Sequence, residues 1–240
     1  MGEDGPTQKV SLISALQPIW YRAAAIASGC LLQLGADIHW EGLEHIPERG
    51  GCLLVSNHIS HFDPILLGAL CSRPVDYMAT EEFFRVPILR WILRSVYCFP
   101  VDRQRMDRQA VRTALERLRA GRMVGIFPEK GIRHGCQSIL FDAKLPDSPV
   151  ALAQLAAVPI LPAAVVGSDQ LYEPTAWLKR CRVFVAYGEP FYVGKREDRQ
   201  KATWKLQLAI KSLFRELGRR YRIEEREYPR SAQERWAEVC

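Results

Sequence analysis

At 240 residues the chain is long enough for one domain with a sizeable core, and 48% hydrophobic with 25% charged residues is the balance of an ordinary globular protein. The net charge of +6 suits an anionic partner, but no zinc finger, helix-turn-helix or aromatic RNA-binding block is present, which argues against nucleic acid. Seven scattered cysteines without a Cys-x-x-Cys pair argue against a disulfide or zinc framework and fit a reducing compartment.

Residues 10–36 open the chain with an apolar stretch that includes Leu16, Ile19, Trp20, Ile26, Leu31 and Leu34. No secretory cleavage pattern follows it. Pro18 and Arg22 interrupt it, and the uncharged run from 23 to 36 falls short of the roughly 20 apolar residues that a span requires. The expected form is one bent helix or two short ones lying in a membrane interface, with Trp20 and Tyr21 at headgroup depth. Packing on the protein's own core and a single span are the alternatives.

Further along, strands are expected over 37–41, 52–56, 75–79, 96–99, 123–127, 160–166 and 183–187. Helices are expected over 64–70, 87–95, 107–120 and 150–157, and an amphipathic one over 201–221. Val111, Leu115 and Leu118 recur at helical spacing, and Gly121 offers a C-terminal stop. This alternation predicts an α/β fold with a largely parallel or mixed central sheet flanked by helices, and functional residues at strand ends. The chain divides into an N-terminal membrane-associating helical segment (1–36), a main domain (37–222) and a charged tail (223–240) expected to fray.

The stretch Asn57-His58-Ile59-Ser60-His61-Phe62-Asp63-Pro64 follows the apolar run Cys52-Leu53-Leu54-Val55 and precedes a helix opened by proline. On a continuous helix His58 and Asp63 would diverge by about 140°. A strand-to-helix corner can instead fold the carboxylate back onto the imidazole. Histidine titrates near neutrality, with an unperturbed pKa of about 6.5, so a carboxylate-held imidazole is a candidate general base. Asp63 before Pro64 is equally a good helix N-cap, and the two roles can coexist. His61 adds a third candidate ligand, yet no further ligand stands at metal-like spacing, so no metal is expected.

The His-x4-Asp spacing, with Asn before and Pro after, resembles the first motif of the glycerolipid acyltransferases of the lysophosphatidic acid acyltransferase type. Three further blocks follow in the same order: Phe99-Pro100-Val101-Asp102-Arg103, Phe127-Pro128-Glu129-Lys130-Gly131-Ile132-Arg133, and Val158-Pro159-Ile160-Leu161-Pro162. Lys130 departs from the pattern, which generally has glycine there, the residue that reaches φ > 0 at little cost. The resemblance implies an O-acyltransferase that carries a fatty acyl chain from acyl-coenzyme A or acyl-carrier protein to a lysophospholipid hydroxyl, 1-acylglycerol-3-phosphate by default. It implies His58 and Asp63 as catalytic residues and Glu129, Gly131 and Arg133 at the acceptor, Glu129 on the glycerol. Arg103, a guanidinium fork at a strand end, suits the acceptor phosphate.

No cofactor is expected, the acyl donor being a substrate. The partners expected are the lysolipid, the donor and a membrane surface, with the protein peripheral or monotopic on the cytoplasmic face. Glycerol-3-phosphate, another lysophospholipid or a lyso-aminolipid are alternative acceptors; a lipid hydrolase or thioesterase and a non-catalytic lipid-binding protein are alternative functions. No Gly-x-Ser-x-Gly elbow is present, so direct attack by the acceptor alcohol is simpler than a covalent acyl-enzyme.

Overall fold

The structure, a computed structural model, describes residues 12–237 apart from residues 103, 105 and 106. Its strands are β1 (Ala36–Glu41), β2 (Cys52–Ser56), β3 (Val75–Thr80), β4 (Phe99–Val101), β5 (Met123–Ile126), β6 (Ile160–Val166) and β7 (Cys181–Tyr187). Its helices are α1 (Leu12–Gly35), α2 (Asp63–Leu70), α3 (Glu81–Arg85), α4 (Pro87–Ser95), α5 (Arg108–Arg119), α6 (Ser148–Ala156), α7 (Pro174–Lys179), α8 (Arg199–Tyr221) and α9 (Ala232–Ala237). The strands form one sheet in the order β1-β7-β6-β2-β5-β3-β4. Among the described residues β6 and β7 pair antiparallel and the other neighbours pair parallel. The architecture is α/β with a mixed sheet, as expected.

Every residue of β2 and β6 is buried. Unbroken apolar runs of this kind belong to strands covered on both faces. Leu53 and Val55 pack with Leu118 of α5, Val150 of α6 and Leu206 of α8. Cys52 and Leu54 pack on the opposite face with Leu32 of α1, Leu66 of α2 and Trp177 of α7. Asp107 and Asp198 cap α5 and α8, each side chain accepting from two backbone amides of the first turn. Because β2 to β6 all run the same way, their C-terminal ends meet along one edge. The loops leaving that edge carry residues 57–63, 127–133 and 167–169.

Three segments differ from expectation. α1 is one continuous helix through Pro18, and it belongs partly to the core. Tyr21 is buried and its hydroxyl accepts a hydrogen bond from the Val75 amide at 3.1 Å, so it does not lie at headgroup depth. A buried strand end needs a partner for its first amide, and Tyr21 supplies it. Ile19, Trp20, Ile26, Leu31 and Leu34 are exposed. Among the described residues no helix is long and apolar enough to cross a membrane. The strand expected over 96–99 begins only at Phe99, because α4 runs to Ser95 and the chain reverses at Tyr97, where φ is 64°.

The expected fraying does not hold for residues 223–237. Arg235 is buried, bridges Asp169 at 2.8 Å, and donates to the Arg226 and Tyr228 carbonyls. Burial pushes the Asp169 carboxyl up to about 6, against the lowering effect of the Arg235 charge. An unfolded aspartate titrates near about 3.9. A raised folded value means that the contribution of Asp169 to stability is fully present below about pH 4 and declines as pH rises through about 6. Arg235→Ala should therefore cost about 3–5 kcal/mol at pH 8, where Asp169 is left charged without its partner, and distinctly less at pH 5, where it takes up a proton. Thermal unfolding at the two pH values measures this, and an equal loss at both would remove Asp169 as the cause.

Candidate active site

The corner after β2 begins with a side chain acting as backbone. β2 and β6 pair in register up to Ser56 and Ala163. Beyond that, the Asn57 amide supplies the next rung: its Nδ2 donates to the Val165 carbonyl at 2.8 Å, and its Oδ1 accepts from the Val165 amide at 2.9 Å. The main chain is thereby free to turn, and His58 lands at the strand end.

Asp63 is fully buried. Its Oδ2 accepts from the Ile59 and Ser60 amides at 2.7 and 2.9 Å and lies 2.9 Å from His58 Nδ1. Its Oδ1 accepts from the Ser168 hydroxyl at 2.5 Å. An ionised carboxylate only accepts, so Nδ1 donates and Nε2 is left with the basic lone pair. The carboxylate makes no capping bond to α2. Of the two roles open to Asp63, the geometry favours the imidazole and its loop over the helix.

The 127–133 loop grips His58 from the other side. The Phe127 ring stacks on the imidazole at a centroid distance of 4.2 Å, and Tyr77 stacks behind Phe127 at 5.8 Å. Gly125, opposite Tyr77 in the sheet, is required here, because a Cβ would fall 2.3 Å from the tyrosine ring. Glu129 Oε2 accepts from the His58 amide at 2.6 Å, and Oε1 accepts from Ser138 Oγ and the Ile139 amide at 2.9 and 2.8 Å. Burial raises the Glu129 carboxyl above its ordinary range, while bonds from Ile139, His58 and Ser138 act to lower it. The Arg133 amide donates to the His58 carbonyl at 2.8 Å.

Of the residues singled out from the sequence, Asp63, Glu129 and Arg133 therefore meet at His58, with differences of role. Both oxygens of Glu129, expected at the acceptor's glycerol, are engaged by the protein itself. The Arg133 side chain is exposed beside the site. The left-handed turn falls on Lys130, with φ 57°, and not on Gly131. Arg103 lies outside the described residues. The His61 ring contacts the Tyr172 hydroxyl through Nδ1 at 2.6 Å. Ser168 was not foreseen; it follows Gly167 at the end of a buried strand, which reads simply as a turn.

His58 also forms part of the wall of an apolar cavity of about 420 Å³. Ala24, Ala25 and Ser28 of α1, Gly68 and Ala69 of α2, and Ile92 and Leu93 of α4 enclose it. Small residues on α1 and α2 leave the space open, and this volume is within the range of about 300–1,000 Å³ usual for ligand sites. An oriented base thus faces an apolar chamber.

A family model described as Acyltransferase matches residues 37–166, more than half of the chain. The chain belongs to the Acyltransferase family. It is 28% identical over 173 residues to the 1-acyl-sn-glycerol-3-phosphate acyltransferase of Bacillus subtilis, covering 72% of this chain and 82% of the relative. Identity to the Borreliella burgdorferi enzyme of the same name is 24% over 140 residues, 58% of this chain and 54% of that one. Among solved structures, the 1-acyl-sn-glycerophosphate (LPA) acyltransferase PlsC from Thermotoga maritima superimposes with a TM-score of 0.68. That match covers 87% of this chain and 84% of the other at 21% identity, a likeness of fold. The protein is an O-acyltransferase by family and by these relatives.

Ser168→Ala should lower kcat about 10- to 100-fold, the worth of one hydrogen bond to a charged group. Ser168→Thr, which keeps the hydroxyl that donates to Asp63, should restore the rate. Turnover of folded Ser168→Ala close to wild type would show that the hydroxyl only fills space. Lys130→Gly should raise stability by up to about 1 kcal/mol by relieving the left-handed backbone. Its KM for a phosphorylated acceptor, measured at low salt, tells whether the ammonium also binds phosphate; an unchanged KM assigns Lys130 to the turn alone.

Proposed function

We propose that the enzyme transfers a fatty acyl chain from a thioester, acyl-coenzyme A or acyl-carrier protein, to the free hydroxyl of 1-acylglycerol-3-phosphate, giving phosphatidate. The observation that carries this reading is the His58 imidazole, held by Asp63 through Nδ1 and set in the wall of an apolar cavity. The relatives from Bacillus subtilis and Borreliella burgdorferi are named for this acceptor, which is why it is preferred here.

In the proposed reaction the acceptor hydroxyl gives its proton to His58 Nε2 as its oxygen attacks the thioester carbonyl carbon. Asp63 stabilises the imidazolium that forms. Collapse of the tetrahedral intermediate breaks the carbon–sulfur bond, and the departing thiolate takes the proton back from His58. The base is regenerated and no acyl-enzyme forms. General base assistance of this kind is worth about 10²–10⁴-fold. The acyl chain occupies the cavity between α1, α2 and α4. Arg133 and Arg103 hold the acceptor phosphate, with Gly131 letting the backbone come close. Glu129 acts by positioning His58. The reaction takes place at a membrane surface, where its insoluble products partition.

A product assay with acyl-coenzyme A and acyl-carrier protein against lysophosphatidate, other lysolipids and glycerol-3-phosphate tests this directly. Phosphatidate should form with wild-type protein, and its formation should be abolished by His58→Ala, which truncates a corner residue and leaves the fold intact. Asp63→Asn should also be severely impaired. Fatty-acid release without an acceptor would point to a hydrolase instead, and turnover close to wild type in folded His58→Ala would exclude the mechanism. Ala25→Leu, by narrowing the cavity, should shift preference toward shorter acyl chains, read from donor chain-length competition.

A further inference from the structure

The apolar cavity has an outer wall, and that wall is unusual. None of the described residues of α4 is buried. Ile92 and Leu93 turn toward the cavity, whereas Ile88 and Trp91 point outward, 72% and 64% exposed. α1 lies alongside: the Trp20 and Trp91 rings meet tilted at a centroid distance of 6.1 Å, and Trp20 Nε1 donates to Ser95 Oγ at 3.0 Å. Gln17 Nε2 donates to the Arg94 carbonyl at 2.8 Å, a second tie between the two helices. Ile19, 67% exposed, extends the same apolar surface along α1.

Charge on α4 is one-sided: its sequence carries Arg90 and Arg94 and no acidic residue. Arg85, Arg90 and Arg94 are exposed, and among the described residues no carboxylate pairs with any of them. The nearest acids, Glu81 and Glu82, are exposed on the first turn of α3, the helix that ends at Arg85. A nine-residue helix is far too short to span a bilayer. An apolar face with two tryptophans, rimmed by arginines, is the composition of a helix lying in the plane of an interface, where indole rings sit at headgroup level and guanidinium groups meet lipid phosphates.

We propose that α4, with the outer face of α1, is the surface that seats this enzyme on an anionic phospholipid leaflet. Seated so, the cavity lies one helix away from hydrocarbon, with Ile92 and Leu93 as its wall toward the leaflet. The docking deepens the acyl-transfer reading above by naming the face that meets the lipid. It draws on exposure and charge, independently of the chemistry at His58.

The test uses the full chain and sedimentation with vesicles of phosphatidylcholine, alone or mixed with phosphatidylglycerol. The double variant Ile88→Ser/Trp91→Ser should weaken partitioning about 100-fold, two large apolar side chains at about tenfold each. Arg85→Ser/Arg94→Ser should weaken it on the phosphatidylglycerol mixture alone, an effect that high salt removes. Both variants should keep wild-type turnover on a water-soluble short-chain acceptor and donor, because none of the four residues lines the cavity or the site. Vesicle binding unchanged in Ile88→Ser/Trp91→Ser overturns the proposal. So does a dimer in buffer that the same substitution dissociates while wild type ignores vesicles, because the face would then be covered by a second copy. Absence of acyl transfer on soluble substrates by wild type, with vesicle binding lost in the variant, rejects the catalytic reading and upholds the docking surface.

Discussion

A carboxylate without access to water costs several kcal/mol unless donors surround it. Asp63 is such a group, and the site is built around satisfying it. Two amides of its own loop, the His58 ring and the Ser168 hydroxyl converge on its two oxygens. The donors come from the loops after β2 and β6, so the parallel pairing of those strands is a condition for the anion to exist in the core. Asn57 ties the same strands together one residue before the corner. Loss of that pairing would leave a charge stranded in apolar surroundings.

The demand passes outward to His58. Its ring is fixed by Asp63 on one edge and by Phe127 on its face, and its backbone amide and carbonyl are held by Glu129 and Arg133. The base is therefore in position before substrate arrives, which is what preorganised catalysis requires. Phe127 depends in turn on Tyr77, and Tyr77 on the space left by Gly125. A missing methyl group in the sheet thus bears on the orientation of the imidazole two layers away. The acyltransferase motif read in this way is less a row of ligands than a frame: of the three residues assigned to the acceptor in the 127–133 loop, Glu129 faces inward and Arg133 lends its backbone.

How much of this was legible depended on whether a residue's role was local. β2 and β6 could be read because a strand covered on both faces has no reason to carry polar residues. His58 and Asp63 could be read because their spacing makes sense only at a corner. Ser168 could not, since serine after glycine describes any turn and its partner lies 105 residues earlier. Arg235 could not, because a single core arginine among solvated charges looks like its neighbours until Asp169 is seen beneath it. The end of α4 was misjudged because Val96, Tyr97 and Cys98 have strand-like side chains, and only the left-handed backbone at Tyr97 shows that they form a turn. Tyr21 was placed with the lipid by its aromatic character, when its hydroxyl was needed by the first amide of β3.

The strand order carries a consequence in time. β1 is the first strand made, and its described neighbour in the sheet is β7, the last. During synthesis β2, β3, β5 and β6 can assemble among themselves while β1 still lacks the strand that holds it at the sheet edge. Contacts so distant along the chain form late and slowly. The first strand therefore waits for its edge partner until the chain has been made as far as Tyr187, whereas α1 can already dock through Tyr21, Gln17 and Trp20 on Val75, Arg94 and Ser95.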